Sequence, residues 1–170
     1  MIMRIVLTGM MGAGKSVAGK ILAARLAVPF FDADERIAAE VGRSVAELIR
    51  REGEAAFRKR EAAALGALVR EEAGVIAAGG GAVLAEENRL ALSEWGTVVY
   101  LRAAPEILAA RLGDAAPAER PLLAGGDPEG TIRRLLTERA LLYEEANLVV
   151  DTDRLTPEET AAAVLRALSN

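Results

Sequence analysis

The chain has 170 residues, 52% of them hydrophobic, and a formal net charge of −4 at pH 7. That is enough apolar content for one domain with a full core, and too little positive charge for a sequence-independent grip on nucleic acid. It contains no cysteine and no histidine, which excludes disulfides, thiolate nucleophiles, iron–sulfur clusters, typical zinc sites and imidazole acid–base catalysis. Chemistry is left to carboxylates, Lys, Arg, hydroxyls and a bound metal–phosphate complex, and phosphoryl transfer is the reaction class that least needs the missing groups.

Short apolar runs alternate with longer helical patterns, the signature of βα units around a parallel sheet. Strands are predicted at Arg4–Thr8, Val28–Asp32, Val75–Ala78, Thr97–Leu101 and Leu148–Asp151. Helices are predicted at Lys15–Ala27, Ala33–Val41, Val45–Arg51, Glu54–Glu72, Glu86–Glu94, Pro105–Leu112, Pro128–Glu145 and Pro157–Leu168. Ser44 with Glu47 reads as a capping box, Asp127 precedes Pro128, and Thr156 stands before Pro157, Glu158 and Glu159 as a cap with a proline in the first turn. No apolar stretch reaches the length of a membrane span, and Met1–Thr8 is too short for a signal-peptide core, so a cytoplasmic protein without a membrane partner is expected.

The first strand runs into Gly9-Met10-Met11-Gly12-Ala13-Gly14-Lys15-Ser16, which opens the first helix and fits the phosphate-loop motif in sequence and in context. Its glycines let consecutive N–H groups turn in around phosphate oxygens, and the helix N-terminus adds positive potential. Lys15 would reach the β- and γ-phosphates and Ser16 would ligate Mg²⁺. A nucleoside triphosphate is therefore the expected ligand.

The second strand ends in Asp32-Ala33-Asp34 at its carboxyl end, the edge where open α/β sheets bind ligands. Asp32 is placed to hold Mg²⁺ through water. Asp34 is placed to accept a hydrogen bond or a proton from a substrate hydroxyl, the alternative being a helix cap. The third strand enters Gly79-Gly80-Gly81 where many phosphate-loop proteins carry a metal-binding Asp. Three glycines either let a ligand approach the backbone or simply form a turn. Leu148–Asp151 resembles a strand ending in such an Asp but comes last in the chain and is discounted.

Arg58 and Glu61, three apart, share a helix face on which a carboxylate can hold a guanidinium ready for an anion; a solvated charged face is the alternative. Residues 113–127 are rich in Gly, Pro and small residues, long for a connection, and read as a lid or an exposed linker. Within them Arg120 would close over transferring phosphate, and Arg111 just before them would stack on a base. Asp127-Pro128-Glu129-Gly130 matches the Asp-x-x-Gly of nucleotide switches, but no apolar strand precedes it.

Taken in order, these segments resemble the shikimate kinase family over nearly the whole chain. The likeness rests on residues 9–16, Phe30-Phe31-Asp32-Ala33-Asp34, Glu54-Ala55-Ala56-Phe57-Arg58-Lys59-Arg60-Glu61, Gly79-Gly80-Gly81-Ala82-Val83, Arg120-Pro121-Leu122-Leu123 and Arg139-Ala140-Leu141-Leu142-Tyr143. The resemblance implies one domain over 1–170 with the P-loop fold of nucleoside-monophosphate kinases. That fold is α/β, a five-stranded parallel sheet of order 2-3-1-4-5 flanked by helices, with a substrate-binding segment near 33–61 and a lid near 113–127. It implies ATP-dependent phosphorylation of the shikimate 3-hydroxyl with Mg²⁺ as cofactor; a monomer is expected, and the acidic charge and the lack of a membrane-length apolar run leave no nucleic-acid or membrane partner expected.

By the same resemblance Gly12, Ala13, Gly14, Lys15, Ser16, Val17, Arg111 and Arg120 bind nucleotide, and Ser16 and Asp32 serve the metal. Asp34, Arg58, Gly79, Gly80, Gly81 and Arg139 bind the acceptor, with Lys15, Asp34 and Arg120 as the catalytic groups. A kinase for gluconate or a related sugar acid is the nearest alternative, and a non-enzymatic nucleotide-binding switch a remote one.

Overall fold

The computed structural model describes residues 3–113 and 120–169. Its centre is a five-stranded parallel sheet in the order β2-β3-β1-β4-β5, the order expected from the sequence. The strands are β1 (Arg4–Thr8), β2 (Phe30–Asp32), β3 (Gly74–Ala77), β4 (Thr97–Arg102) and β5 (Leu148–Asp151). The helices, in chain order, are α1 (Lys15–Leu26), α2 (Ala33–Val41), α3 (Val45–Glu52), α4 (Glu54–Leu68), α5 (Glu86–Trp95), α6 (Pro105–Leu112), α7 (Pro128–Glu144) and α8 (Pro157–Leu168). Among the described residues no helix is long and apolar enough to cross a membrane.

The sheet is covered on both faces, as a parallel sheet requires. Ile5, Leu7, Val75, Val99 and Leu101 contribute to one core with residues of α1, α6, α7 and α8. On the other face Val6 and Ile76 pack with Leu65 and Leu68 of α4 and Leu92 and Trp95 of α5. Ile37, Leu48, Phe57 and Ala64 form a third, smaller core that binds α2, α3 and α4 to one another. The segment 33–61 thus has packing of its own beside the sheet, joined to the sheet core through Ala33.

At the two largest differences from the predicted spans, specific hydrogen bonds mark the change. The strand predicted from Val28 begins at Phe30, because the Val28 amide closes the end of α1 on the Ala23 carbonyl at 3.1 Å and Pro29 has no N–H to give a ladder. The helix predicted to Glu72 stops at Leu68. Beyond it the amides of Arg70 and Glu71 bond three residues back, and the Trp95 indole donates to the Glu71 carbonyl at 2.9 Å. Two 3₁₀ turns, Ala82–Leu84 and Pro121–Leu123, are too short to show a period in the sequence. Thr156 and Glu159 form a reciprocal capping box, whereas for α3 the structure shows the Ser44 hydroxyl accepting from the Glu47 amide.

Helix α1 ends on Ala27 in the left-handed conformation at φ 53, a backbone normally given to glycine. Ala27 is exposed, so its methyl group brings no core packing to offset the strain. Ala27→Gly should therefore stabilise the protein by about 1 kcal/mol, read as a higher urea midpoint at unchanged slope.

Candidate active site

Phosphate loop, second strand and glycine triplet all emerge at the carboxyl edge of adjacent strands, β1, β2 and β3. The Gly14 backbone is left-handed at φ 85 and leads directly into α1. Lys15 curls back over the loop, its ammonium donating to the carbonyls of Gly9 at 2.7 Å and Met10 at 3.0 Å. Burial lowers its pKa to about 8; Arg120 adds to that fall, while Asp34 and Asp32 oppose it.

The Ser16 hydroxyl donates to Asp32 Oδ2. Asp32 Oδ1 accepts from the amides of Asp34 at 2.9 Å and Glu35 at 3.2 Å, which caps α2. The capping role weighed for Asp34 therefore falls to Asp32, and the Asp34 side chain lines the cleft instead. Ser16 and Asp32 supply only hard oxygen donors, and among the described residues no cluster of three acidic side chains forms a metal cage. That donor set fits Mg²⁺, which keeps most of its shell as water and substrate phosphate.

A cavity of about 500 Å³ lies along the phosphate loop, bounded by Gly12–Val17, Asp32, Arg111 and Arg120. Arg111 is held at the Thr152 hydroxyl, 3.1 Å away, and at the Thr152 carbonyl. Leu155, Pro157 and Thr160 also line this cavity; no nucleotide motif marks them, because the fold alone brings them there from the connection after β5 and from α8.

Beside it is a second cavity of about 570 Å³, lined by Arg58, Glu61, Gly81 and Arg139, with Phe57 and Ile49 supplying apolar wall. Arg58 donates to Glu61 Oε2 at 2.7 Å and to Glu54 Oε1 at 3.0 Å, and lies against the Phe57 ring. A Cβ on Gly81 would overlap the Arg58 guanidinium, so glycine there lets the cation rest on backbone. Glu61, only 1% exposed, is therefore a buried anchor for Arg58 rather than part of a solvated face. Arg139 is also buried, with Nη1 donating to the Gly80 carbonyl at 3.3 Å.

Three buried polar atoms of this site, Asp34 Oδ1, Glu61 Oε1 and Arg139 Nε, make no hydrogen bond within the protein. Such atoms are costly unless something else satisfies them, and they mark the site as built for a polar guest. Burial raises the Asp34 pKa, with Asp32 adding to the rise and Lys15, Arg120 and Arg58 opposing it. Glu61 is raised too, first by burial, with Arg58 as the main opposing charge.

Met11, Asp34, Gly79, Gly80 and Arg120 line both cavities. The two spaces thus meet at one carboxylate and one guanidinium, so a phosphate donor in one and a hydroxyl acceptor in the other would face each other there. Every residue singled out in the sequence for nucleotide or acceptor lies on one or both walls. Residues 114–119 of the expected lid lie outside the described residues; its described part holds Arg120, a 3₁₀ turn and Asp127, which caps α7 by accepting from the Gly130 amide. The Asp-x-x-Gly match is therefore a helix cap, and Asp151 is paired with Arg102 at 2.6 Å on the sheet edge, away from both cavities.

The family model described as "Shikimate kinase" matches residues 11–169. A shikimate kinase of Symbiobacterium thermophilum is 43% identical over 167 residues, spanning 98% of this chain and 96% of its own. One of Chromohalobacter salexigens is 47% identical over 163 residues, spanning 95% of this chain and 89% of its own. The structure of shikimate kinase from Acinetobacter baumannii in complex with shikimate superposes with a TM-score of 0.94 at 36% identity, over 99% of this chain and 93% of that one. A gluconokinase from Sinorhizobium meliloti, at 21% identity and a TM-score of 0.58, shares the fold.

With the Lys15 pKa near 8, a triphosphate arriving beside the ammonium favours its charged form and draws a proton from solution. Calorimetry at pH 8.5 in buffers of differing ionisation enthalpy should read an uptake of roughly half a proton or more per nucleotide bound. In Lys15→Arg, whose side chain stays charged, the uptake should vanish; equal uptake in both proteins would refute the assignment.

Proposed function

The chain belongs to the shikimate kinase family, and from that premise we propose that it transfers the γ-phosphoryl group of ATP to the 3-hydroxyl of shikimate, giving shikimate 3-phosphate and ADP. The observation that carries the proposal is the meeting of the two cavities at Asp34, with the cationic pair Arg58 and Arg139 set back in the acceptor cavity. A small hydroxylated carboxylic acid needs both features, a guanidinium pair for its carboxylate and a carboxylate for its reacting hydroxyl.

In this reading Gly12–Val17 and Lys15 hold the phosphates, and Arg111 flanks the base. Ser16 and Asp32 would hold Mg²⁺, which when bound neutralises phosphate charge. Arg58 and Arg139 take the carboxylate, and the glycine triplet lets the ring approach the backbone. Asp34 orients the 3-hydroxyl toward the γ-phosphorus. As the new P–O bond forms and the bond to the β-phosphate oxygen breaks, the hydroxyl proton passes to Asp34, and the ADP oxygen takes up the developing charge beside Lys15 and Arg120. The raised Asp34 pKa suits this part, since a more basic carboxylate is a better proton acceptor.

The reading includes a cytoplasmic enzyme, monomeric, acting on two small molecules with no nucleic-acid or membrane partner. The acidic net charge supports the exclusion of nucleic acid. ATP turnover coupled to ADP detection should depend on added shikimate, with gluconate giving none; ADP release indifferent to shikimate would overturn the reading.

Asp34→Asn should lower kcat by about two to four orders of magnitude while ATP binding is retained. Asp34 works as the ionised base and its pKa is raised, so kcat/KM should fall as the pH drops through a value above the ordinary carboxylate range. The residual rate of the Asn variant should lack that acid limb. Arg139→Ala should raise the KM for shikimate by about two orders of magnitude with little change in the KM for ATP, measured by varying each substrate at saturation of the other.

A further inference from the structure

Tyr143 lies one helical turn beyond Arg139 on α7, is fully buried, and lines neither the nucleotide nor the acceptor cavity. Its ring stacks on Tyr100 of β4, centroids 5.0 Å apart and planes at 13°. Its hydroxyl donates to the carbonyl oxygen of Gly80. That same oxygen accepts from Arg139 Nη1 at 3.3 Å, a long bond. Burial pushes the Tyr143 phenol up, against the pull of the neighbouring Arg139, so it remains a protonated donor through the neutral range.

Two consequences follow for the acceptor cavity. In a trans peptide the carbonyl and the next N–H point in opposite directions, and no peptide bond among the described residues is cis. With the Gly80 oxygen bonded to Tyr143, which lies behind the cavity wall, the Gly81 N–H at the other end of that peptide points away from the phenol. Three successive glycines have no side chains to hold that plane, so it is held by the turn bond from the Ala82 amide to the Gly79 carbonyl at 3.0 Å together with what the Gly80 carbonyl bonds to. The phenol also satisfies this oxygen. The Arg139 guanidinium also hydrogen-bonds the Tyr143 side chain, so the phenol helps set its orientation, and its buried Nε is left without a partner in the protein.

We infer that Tyr143 is a positioning residue for the acceptor: by bonding both the Gly80 carbonyl and Arg139 it steadies the Gly80–Gly81 peptide and orients that guanidinium for the carboxylate. The inference rests on the proposed acceptor reading of that cavity, but its structural half can be measured without substrate.

Tyr143→Phe keeps the stacked ring and removes only the hydroxyl. The KM for shikimate should rise about tenfold, with kcat and the KM for ATP within about twofold of wild type. In Arg139→Ala the further Tyr143→Phe change should add little, because the hydroxyl acts largely through that guanidinium. In the substrate-free proteins, amide NMR of Tyr143→Phe should show shifts centred on Gly80 and Gly81, with faster hydrogen exchange at Gly81. An unchanged shikimate KM, or shikimate and ATP KM values rising together, would overturn the inference, as would unperturbed Gly80 and Gly81 amides. If wild type fails to turn over shikimate while the amide changes are present, the substrate assignment fails and the peptide-holding role stands.

Discussion

The constraint on which the site depends is the approach of the glycine triplet to the phosphate loop. A Cβ added to Gly80 would lie 3.2 Å from the Met11 amide nitrogen and 3.5 Å from the Gly9 carbonyl oxygen, tight contact with the loop backbone. This closeness follows from topology: β1 pairs with β3 in register, Leu7 opposite Ala77, so the two carboxyl ends emerge side by side. Side chains at the triplet would crowd the loop or the site. With glycine, the wall of the acceptor cavity is also the flank of the phosphate loop, the adjacency that in-line transfer requires before charge stabilisation can act.

Around this seam the protein gathers charge that a stability-optimised core would not contain. Lys15, Arg58, Arg120 and Arg139 face Asp32, Asp34 and Glu61, and Glu61 and Arg139 are almost wholly buried. Burial raises Asp34 and Glu61 and lowers Lys15, each shift running against the charged form. Partly compensated pairs in a low-dielectric setting cost stability, and the orphaned atoms of Asp34, Glu61 and Arg139 add to that cost. A guest bearing a carboxylate and hydroxyls would supply the missing partners, so binding energy and protein stability are linked at the same atoms.

What was legible in the sequence was what depends on local backbone chemistry or on helical spacing. The phosphate loop is a contiguous run whose glycines and lysine act through their own backbone. Arg58 and Glu61 pair because residues three apart share a face. The order of the strands came from the family resemblance and not from the residues alone. Other features depend on tertiary bonds and left no local mark: the burial of Glu61 and Arg139, the Trp95 bond beside the end of α4, and the arrival of Leu155 and Pro157 at the nucleotide cavity. Asp32 was assigned to the metal alone, yet it also caps α2, because the strand ends at the residue where the helix needs its cap.

The two cations of the acceptor cavity belong to different bodies, which bears on how the site responds to a guest. Arg139 stands on α7, whose Ile132, Leu135 and Tyr143 are part of the large sheet core. Arg58 stands at the start of α4, next to Phe57, which belongs to the small core of Ile37, Leu48 and Ala64. The far end of α4, at Leu65 and Leu68, is packed in the sheet core instead. Arg58 therefore sits where α4 passes from one packing unit to the other. In the proposed reading a carboxylate held by both guanidiniums binds best at one relative placement of the two units. Its differential affinity for that placement is what would draw the segment 33–61 onto the sheet. Met10 and Ala13 of the phosphate loop pack in the sheet core, so in that reading a shift of the segment 33–61 would leave the loop's own packing in place.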